Sequence, residues 1–309
     1  MALKIGLATP SNFWNSSFKE KTALLEAVDQ AKIDHMYMAD HVSFHDGSGT
    51  DGFVEIAALS QLNPSLGVMI SIYLLPLRHP LPVARQLATM HKIAPGRTMF
   101  GVGIGGEDRH EIEVCGVDPT TRGKRTNESL QILRGLMAGE TVDFEGEIFS
   151  VDNARIQPVV GDQIPIIIGG RSDAALKRAA HFGDGWIATW CSVKRFKDAL
   201  AIIDNFASES GRQVDWQHGY QPWVGIADTK AEARALVARE MEAFYKIPFE
   251  RFEKYTPYGT PEDVADYLSP YVQNGCSIMN LKVVAPNDAL CVQGAGEIAE
   301  RLRNSCNLR

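Results

Sequence analysis

Ile164-Pro165-Ile166-Ile167-Ile168-Gly169-Gly170-Arg171-Ser172-Asp173 decides the fold. The unbroken apolar run at 164–168 predicts a strand covered on both faces, as in a parallel sheet. Gly169 and Gly170 end that strand, and residues 173–181 then show helical character. A strand, a glycine turn and a helix make one βα unit. Working outward, the same alternation recurs about eight times, which predicts an α/β (β/α)8 TIM barrel. Strands are predicted at 4–8, 35–39, 66–74, 98–104, 164–168, 185–190, 219–227 and 278–284. Helices are predicted at 21–31, 54–62, 80–91, 126–137, 173–181, 193–209, 230–245, from Pro261 onward and through Leu302.

Two stretches break the rhythm. Residues 141–162 place Val142, Phe144, Ile148 and Val151 around Glu145-Gly146-Glu147 and predict a β-hairpin insertion. Residues 247–260 carry Phe249, Phe252, Tyr255 and Tyr258 and predict an aromatic cover segment. A barrel of ~250 residues leaves roughly 60 further positions, and these insertions account for a large part of them. No low-complexity linker or abrupt charge shift interrupts them, so 1–309 reads as one domain.

Composition narrows the function. Lys and Arg number 31 against 38 Asp and Glu, a formal charge of -7, and no basic run tracks a phosphate backbone. Nucleic acid is therefore an unsuitable partner. The five cysteines are scattered without a Cys-x-x-Cys pair, which fits a reducing cytoplasm. No apolar run approaches the ~20 residues of a membrane span, and the first residues lack a signal-peptide pattern. The eight histidines form no ligand-spaced cluster, so no metal site is expected. A Gly-x-Ser-x-Gly nucleophile elbow is absent too.

Barrel active sites lie at the carboxyl ends of the strands. There the sequence places Asn12-Phe13-Trp14, Asp40-His41, Gly105-Gly106-Glu107 and Gly169-Gly170-Arg171-Ser172. The last group suits a cofactor phosphate, with backbone approach at the glycines and donors from Arg171, Ser172 and the helix start. A tight turn capped by Ser172 or Asp173 explains the same residues equally well. Asp40 and His41 offer a carboxylate and an imidazole for proton transfer, or an Asp capping local amides beside a half-buried His. Glu107 reads as a general acid in a cleft or as one solvated charge in the polar run 107–111.

The chain as a whole resembles the luciferase-like monooxygenase family of flavin- or deazaflavin-dependent barrel oxidoreductases. The resemblance runs through Pro76-Leu77-Arg78-His79-Pro80, Pro95-Gly96-Arg97, Gly101-Val102-Gly103, Cys115-Gly116-Val117, 122–136, 164–170, Asp184-Gly185-Trp186 and Gly259-Thr260-Pro261-Glu262. It implies F420 or FMN as cofactor and a small organic substrate. Asp40-His41 is similar to the pair carried by F420-dependent members, which implies hydride transfer with F420 first and FMNH2/O2-dependent monooxygenation as the alternative. Gly106-Glu107 matches a family proton donor, whereas Ser43-Phe44-His45 departs from the sugar-phosphate dehydrogenase pattern. The resemblance implies catalytic roles for Asp40, His41 and Glu107. It implies cofactor contacts from Ile70, Ser71, Gly105, Gly106, Gly169, Gly170, Arg171 and Ser172, and a substrate pocket lined by Asn12, Trp14 and Trp190. It further implies a non-prolyl cis peptide within Ile70-Ser71-Ile72, a homodimer and, for a reduced cofactor, a separate reductase. A non-catalytic flavin-binding protein and a barrel without cofactor are the readings from other classes.

Overall fold

The computed structural model describes residues 2–106 and 108–306. The barrel strands are β1 (Lys4–Ala8), β2 (His35–Met38), β3 (Gly67–Leu74), β4 (Thr98–Gly103), β5 (Ile166–Gly169), β6 (Gly185–Ala188), β7 (Gly219–Tyr220 continued by Trp223–Ile226) and β8 (Ile278–Val284). They follow one another in sequence order, and β1 pairs in parallel with β8, as in a closed (β/α)8 TIM barrel. Their residues are almost all buried, which is why they read as continuous apolar runs. The chain clusters into two compact units. One comprises Met1–Tyr37, Ile187–Ile202 and Gln217–Arg309, the other Met38–Trp186 and Ile203–Trp216.

In the first unit, β1 pairs with β2 at Gly6↔His35 and with β8 at Gly6↔Asn280. The predicted strand at 219–227 is broken in two, because Pro222 has no N–H to give a ladder. Its carbonyl instead accepts from Lys282 N at 3.0 Å. The aromatic segment near 247–259 folds as two short turns, Phe249–Arg251 and Glu253–Tyr255, and a two-residue strand. Phe249 and Phe252 are buried with Trp223, Val237 and Met241 on the helix Lys230–Tyr245. That segment is therefore part of a core cluster. Arg234 donates to Glu253 at 2.7 Å and Tyr258 Oη to the same carboxylate at 2.9 Å, tying the segment to the helix.

In the second unit, β3, β4 and β5 form a parallel ladder with a register shift between Ile70 and Tyr73. The Ser71–Ile72 peptide is cis, at the place the resemblance implied. The predicted hairpin is present as Val142–Glu145 paired with Ser150–Ala154. A second antiparallel hairpin pairs His41–Phe44 with Ser48–Thr50. His45 and Gly47 take positive φ at its turn, and the helix Gly52–Leu62 starts immediately after it. The polar run after Gly106 is not a plain loop: Arg109–Val114 is helical, capped by the Asp108 carboxylate accepting from His110 N at 2.9 Å. No helix among the described residues is long and apolar enough to cross a membrane.

Candidate active site

Asp40, immediately after β2, has no exposed surface. Its two oxygens accept from four donors, all within the second unit. Arg78 donates from Nη1 to Oδ2 at 2.6 Å and from Nη2 to Oδ1 at 2.8 Å. The amides of Leu74 and Gly52 add bonds of 3.0 and 3.1 Å. Burial pushes the Asp40 carboxyl above its ordinary range, opposed by Arg78 and the two amides. A planar guanidinium matching a carboxylate edge to edge is the geometry that best repays such desolvation. Arg78 also lies over the Tyr73 ring, 4.5 Å from its centroid. Asp40 thus fastens the end of β2 to the end of β3 and to the start of the next helix.

His41 serves a different partner. Its Nδ1 lies 3.0 Å from Oε2 of Glu111, which is 2 % exposed. The same carboxylate accepts from the Val42 and Ser43 amides at 2.7 and 3.2 Å. Burial raises the Glu111 carboxyl, but His41 and these amides outweigh it and hold the group below the ordinary carboxylate range. An ionised Glu111 favours a proton on His41 Nδ1 and fixes the ring's orientation. Phe44 packs beside the imidazole at 4.2 Å between centroids. Asp40 and His41 are therefore neighbours in the chain with separate tasks. The Asp108 carboxylate accepts from His45 N at 2.8 Å and anchors the other end of the hairpin.

Neither Arg78 nor Glu111 was singled out in the sequence. Arg78 had a signal, as a lone charge in a run otherwise apolar or proline-rich. Glu111 had little, because it shares a polar stretch with four other charged or ionisable residues. Glu107, the candidate proton donor, lies outside the described residues.

The remaining cofactor candidates are also in the second unit. Ile70 and Ser71 are buried in β3, and Ile70 lies against Gly52, where an added Cβ would approach its Cγ2 to 2.7 Å. Ile72 fills space that glycines leave open: Cβ atoms on Gly103 and Gly169 would come within 2.4 and 2.9 Å of it. Gly105, Gly106 and Gly170 take φ of +69°, +143° and +126°, conformations that side chains disfavour. A Cβ on Gly106 would sit 3.3 Å from Arg122 Nη1. Ser172 is the N-cap of the helix Asp173–Phe182, its Oγ accepting from Ala175 N at 3.3 Å, so the capping reading holds for it. Arg171 is exposed at the same turn, and Trp186 Nε1 donates to the Gly170 carbonyl at 2.7 Å.

The predicted substrate residues lie in the first unit. Asn12 precedes the short turn Phe13–Asn15 and is exposed. Trp14 is half-buried, its Nε1 has no hydrogen-bond partner among the described residues, and Lys21 Nζ stands 5.7 Å from its ring. Trp190, with φ of +47°, packs against Tyr245 and Phe252 at 4.9 and 4.7 Å.

The chain has the strand order of a (β/α)8 barrel, with these residues at or after its strand ends. The family model for luciferase-like monooxygenases matches residues 4–277, and the chain belongs to that family. An uncharacterised protein of Mycobacterium tuberculosis is 32% identical over 170 residues, 55% of this chain and 58% of its own length. The chain thus spans little more than half the length of such relatives. An F420-dependent glucose-6-phosphate dehydrogenase of Mycolicibacterium smegmatis is 26% identical over 288 residues, covering 83% of this chain and 85% of that one. Among solved structures, an F420-dependent secondary alcohol dehydrogenase in complex with an F420-acetone adduct shares the fold. It matches with a TM-score of 0.84 at 17% identity, over 98% of this chain and 99% of the other.

Proposed function

We propose that this chain is a flavin- or deazaflavin-dependent oxidoreductase, with F420 as cofactor and hydride transfer to or from a small organic substrate as its reaction. The observation that carries the reading is Glu111, a buried carboxylate that orients His41 just after β2. Such an arrangement orients an imidazole for proton transfer while the same carboxylate holds the hairpin amides. The relative from Mycolicibacterium smegmatis, named as F420-dependent, supports the choice of cofactor.

The residues present fit such a group. At Gly105, Gly106 and Gly170 the backbone takes conformations open to a ring or phosphate and closed to side chains. A bound deazaflavin or flavin would supply the ring that accepts or donates hydride. In this reading Gly169, Gly170, Arg171, Ser172 and the following helix start hold a phosphate, while Ile70, Ser71, Gly105 and Gly106 border the ring. His41 exchanges a proton at Nε2 while Glu111 holds Nδ1. Glu107 is the second proton donor, and Asp40 positions the strand ends through Arg78. Asn12, Trp14 and Trp190 line the substrate side. The same reading takes 1–309 as one functional domain of a cytoplasmic homodimer, served by a separate reductase where the cofactor must arrive reduced.

FMN-dependent oxygenation is the second reading, favoured by a 25% identical relative named limonene 1,2-monooxygenase, from Rhodococcus erythropolis. Titration with F420 and with FMN, followed by turnover with and without oxygen, separates the two. We expect micromolar binding of F420 and oxygen-independent turnover. Micromolar FMN binding with none of F420 overturns the F420 assignment, and binding of neither overturns the oxidoreductase.

A further inference from the structure

The first unit carries a layered set of inward side chains whose upper layer no step above uses. In the lower layer His35 Nε2 meets Asn280 Oδ1 at 2.8 Å, and Asn280 Nδ2 donates to Gln221 Oε1 at 3.0 Å. Gly6 lies between them in register, and a Cβ there would stand 2.3 Å from His35 and 2.5 Å from Asn280. Strand side chains alternate in direction, so two residues further along each strand the same face continues with Ala8, Tyr37, Trp223 and Lys282. The ladders agree: Ala8 pairs with Tyr37, and Trp223 with Lys282.

Two polar groups stand in this upper layer. Tyr37 is 3 % exposed, and its hydroxyl has no hydrogen-bond partner among the described residues. A buried hydroxyl without a partner is costly, and such groups commonly await a ligand or water. Lys282 is half-buried, with Nζ 3.9 Å from the centroid of Trp223 and 4.7 Å from that of Phe244. Among the described residues it has no carboxylate at ion-pair distance. Burial lowers its ammonium pKa to about 8, with only the charge of Glu240 pulling it back up. The wall is aromatic and held in place, since Trp223 Nε1 donates to Tyr245 Oη at 3.0 Å. Two aromatic faces stabilise a cation, and an ammonium keeps three N–H donors with which to bond an anion.

We propose that Lys282 and Tyr37 form an anion-recognition site, and that the substrate carries a carboxylate joined to a flat apolar body. The ammonium and the phenol hydroxyl take the carboxylate oxygens, while Trp223, Phe244 and Tyr245 take the body. This deepens the oxidoreductase reading by naming its substrate class. It is tested without cofactor, so its failure is distinct from a failure of the F420 titration.

The experiment titrates the whole protein with benzoate, with benzamide and with inorganic phosphate at pH 7, reading tryptophan fluorescence and calorimetric heat. We expect saturable benzoate binding, with benzamide at least about tenfold weaker because it lacks the charge. Phosphate should be weaker than benzoate, since it leaves the aromatic wall uncovered. Lys282→Met should abolish the preference for benzoate over benzamide. Tyr37→Phe, which removes one oxygen and keeps the ring, should weaken benzoate several-fold and leave benzamide unchanged. The proposal is overturned if wild type binds the acid and the amide equally, or binds neither. It is equally overturned if Tyr37→Phe leaves the acid's affinity unchanged, or if phosphate binds more tightly than benzoate.

Discussion

Glu111 shows how one side chain can organise a site from outside the residues that look reactive. It gives one carboxylate to an imidazole and two amides at the start of the hairpin. Glu111→Gln keeps the shape, loses the charge and can place an N–H against His41 Nδ1, which favours the opposite tautomer. We expect turnover to fall by about tenfold to a hundredfold while cofactor affinity stays within a few-fold, measured by steady-state kinetics beside fluorescence titration. Unchanged turnover would remove His41 from the reaction. Asp40 and Arg78 work differently. Asp40 is buried and Arg78 half-buried, and removing the partner of a buried charge costs up to about 3–5 kcal/mol because that charge is left alone, so loss of activity at Asp40 reports folding as well as function. The partners are 38 residues apart for Asp40 and Arg78 and 70 apart for His41 and Glu111. Local sequence has no term for such pairings, and only the closure of the βα units brings them together.

At the scale of elements, β3 and β4 show why glycines were legible as a pattern but not as a purpose. Gly103 and Gly169 end their strands, which reads from sequence as the start of a turn. In the structure they also make room for Ile72. Gly103→Ala would set a Cβ 2.4 Å from Ile72 Cγ2, and overpacking of this kind costs about 1–3 kcal/mol. A melting temperature several degrees lower in calorimetry is the expected outcome, and an unchanged one would mean that Ile72 has space to move. The hairpin His41–Phe44 with Ser48–Thr50 carries little strand signal in the sequence, because its residues are polar and glycine-rich and bury little. Its order comes from Glu111 and Asp108, which lie beyond it in the chain. The interruption of β7 at Pro222 was legible in principle, since proline cannot donate to a ladder.

For the whole molecule, two buried histidines contribute to the loss of stability in acid. Burial lowers the pKa of His35 and of His218 from 6.5 to about 4, with the Asn280 hydrogen bond partly opposing it at His35. Between those values the unfolded chain binds protons that the folded chain refuses, so stability rises with pH and is lost as pH falls from 6.5 toward 4. Each group contributes up to about 3 kcal/mol of that loss. Urea midpoints measured from pH 7 to 4.5 should fall, and less steeply in His218→Leu; parallel curves would exclude His218 as a contributor. The sequence by itself determined the repeating βα rhythm, the hairpin at 142–154 and the family resemblance. Strands covered on both faces must be apolar throughout, and helices between them must be amphipathic, so the alternation is written locally. Only the tertiary structure decided which polar residues meet: Asp40 with Arg78, His41 with Glu111, His35 with Asn280. It also set Tyr37 and Lys282 in one layer. Those pairings depend on register and on strand closure, and a carboxylate's partner in a dry interior is fixed by distance through space, which the linear order of residues does not encode.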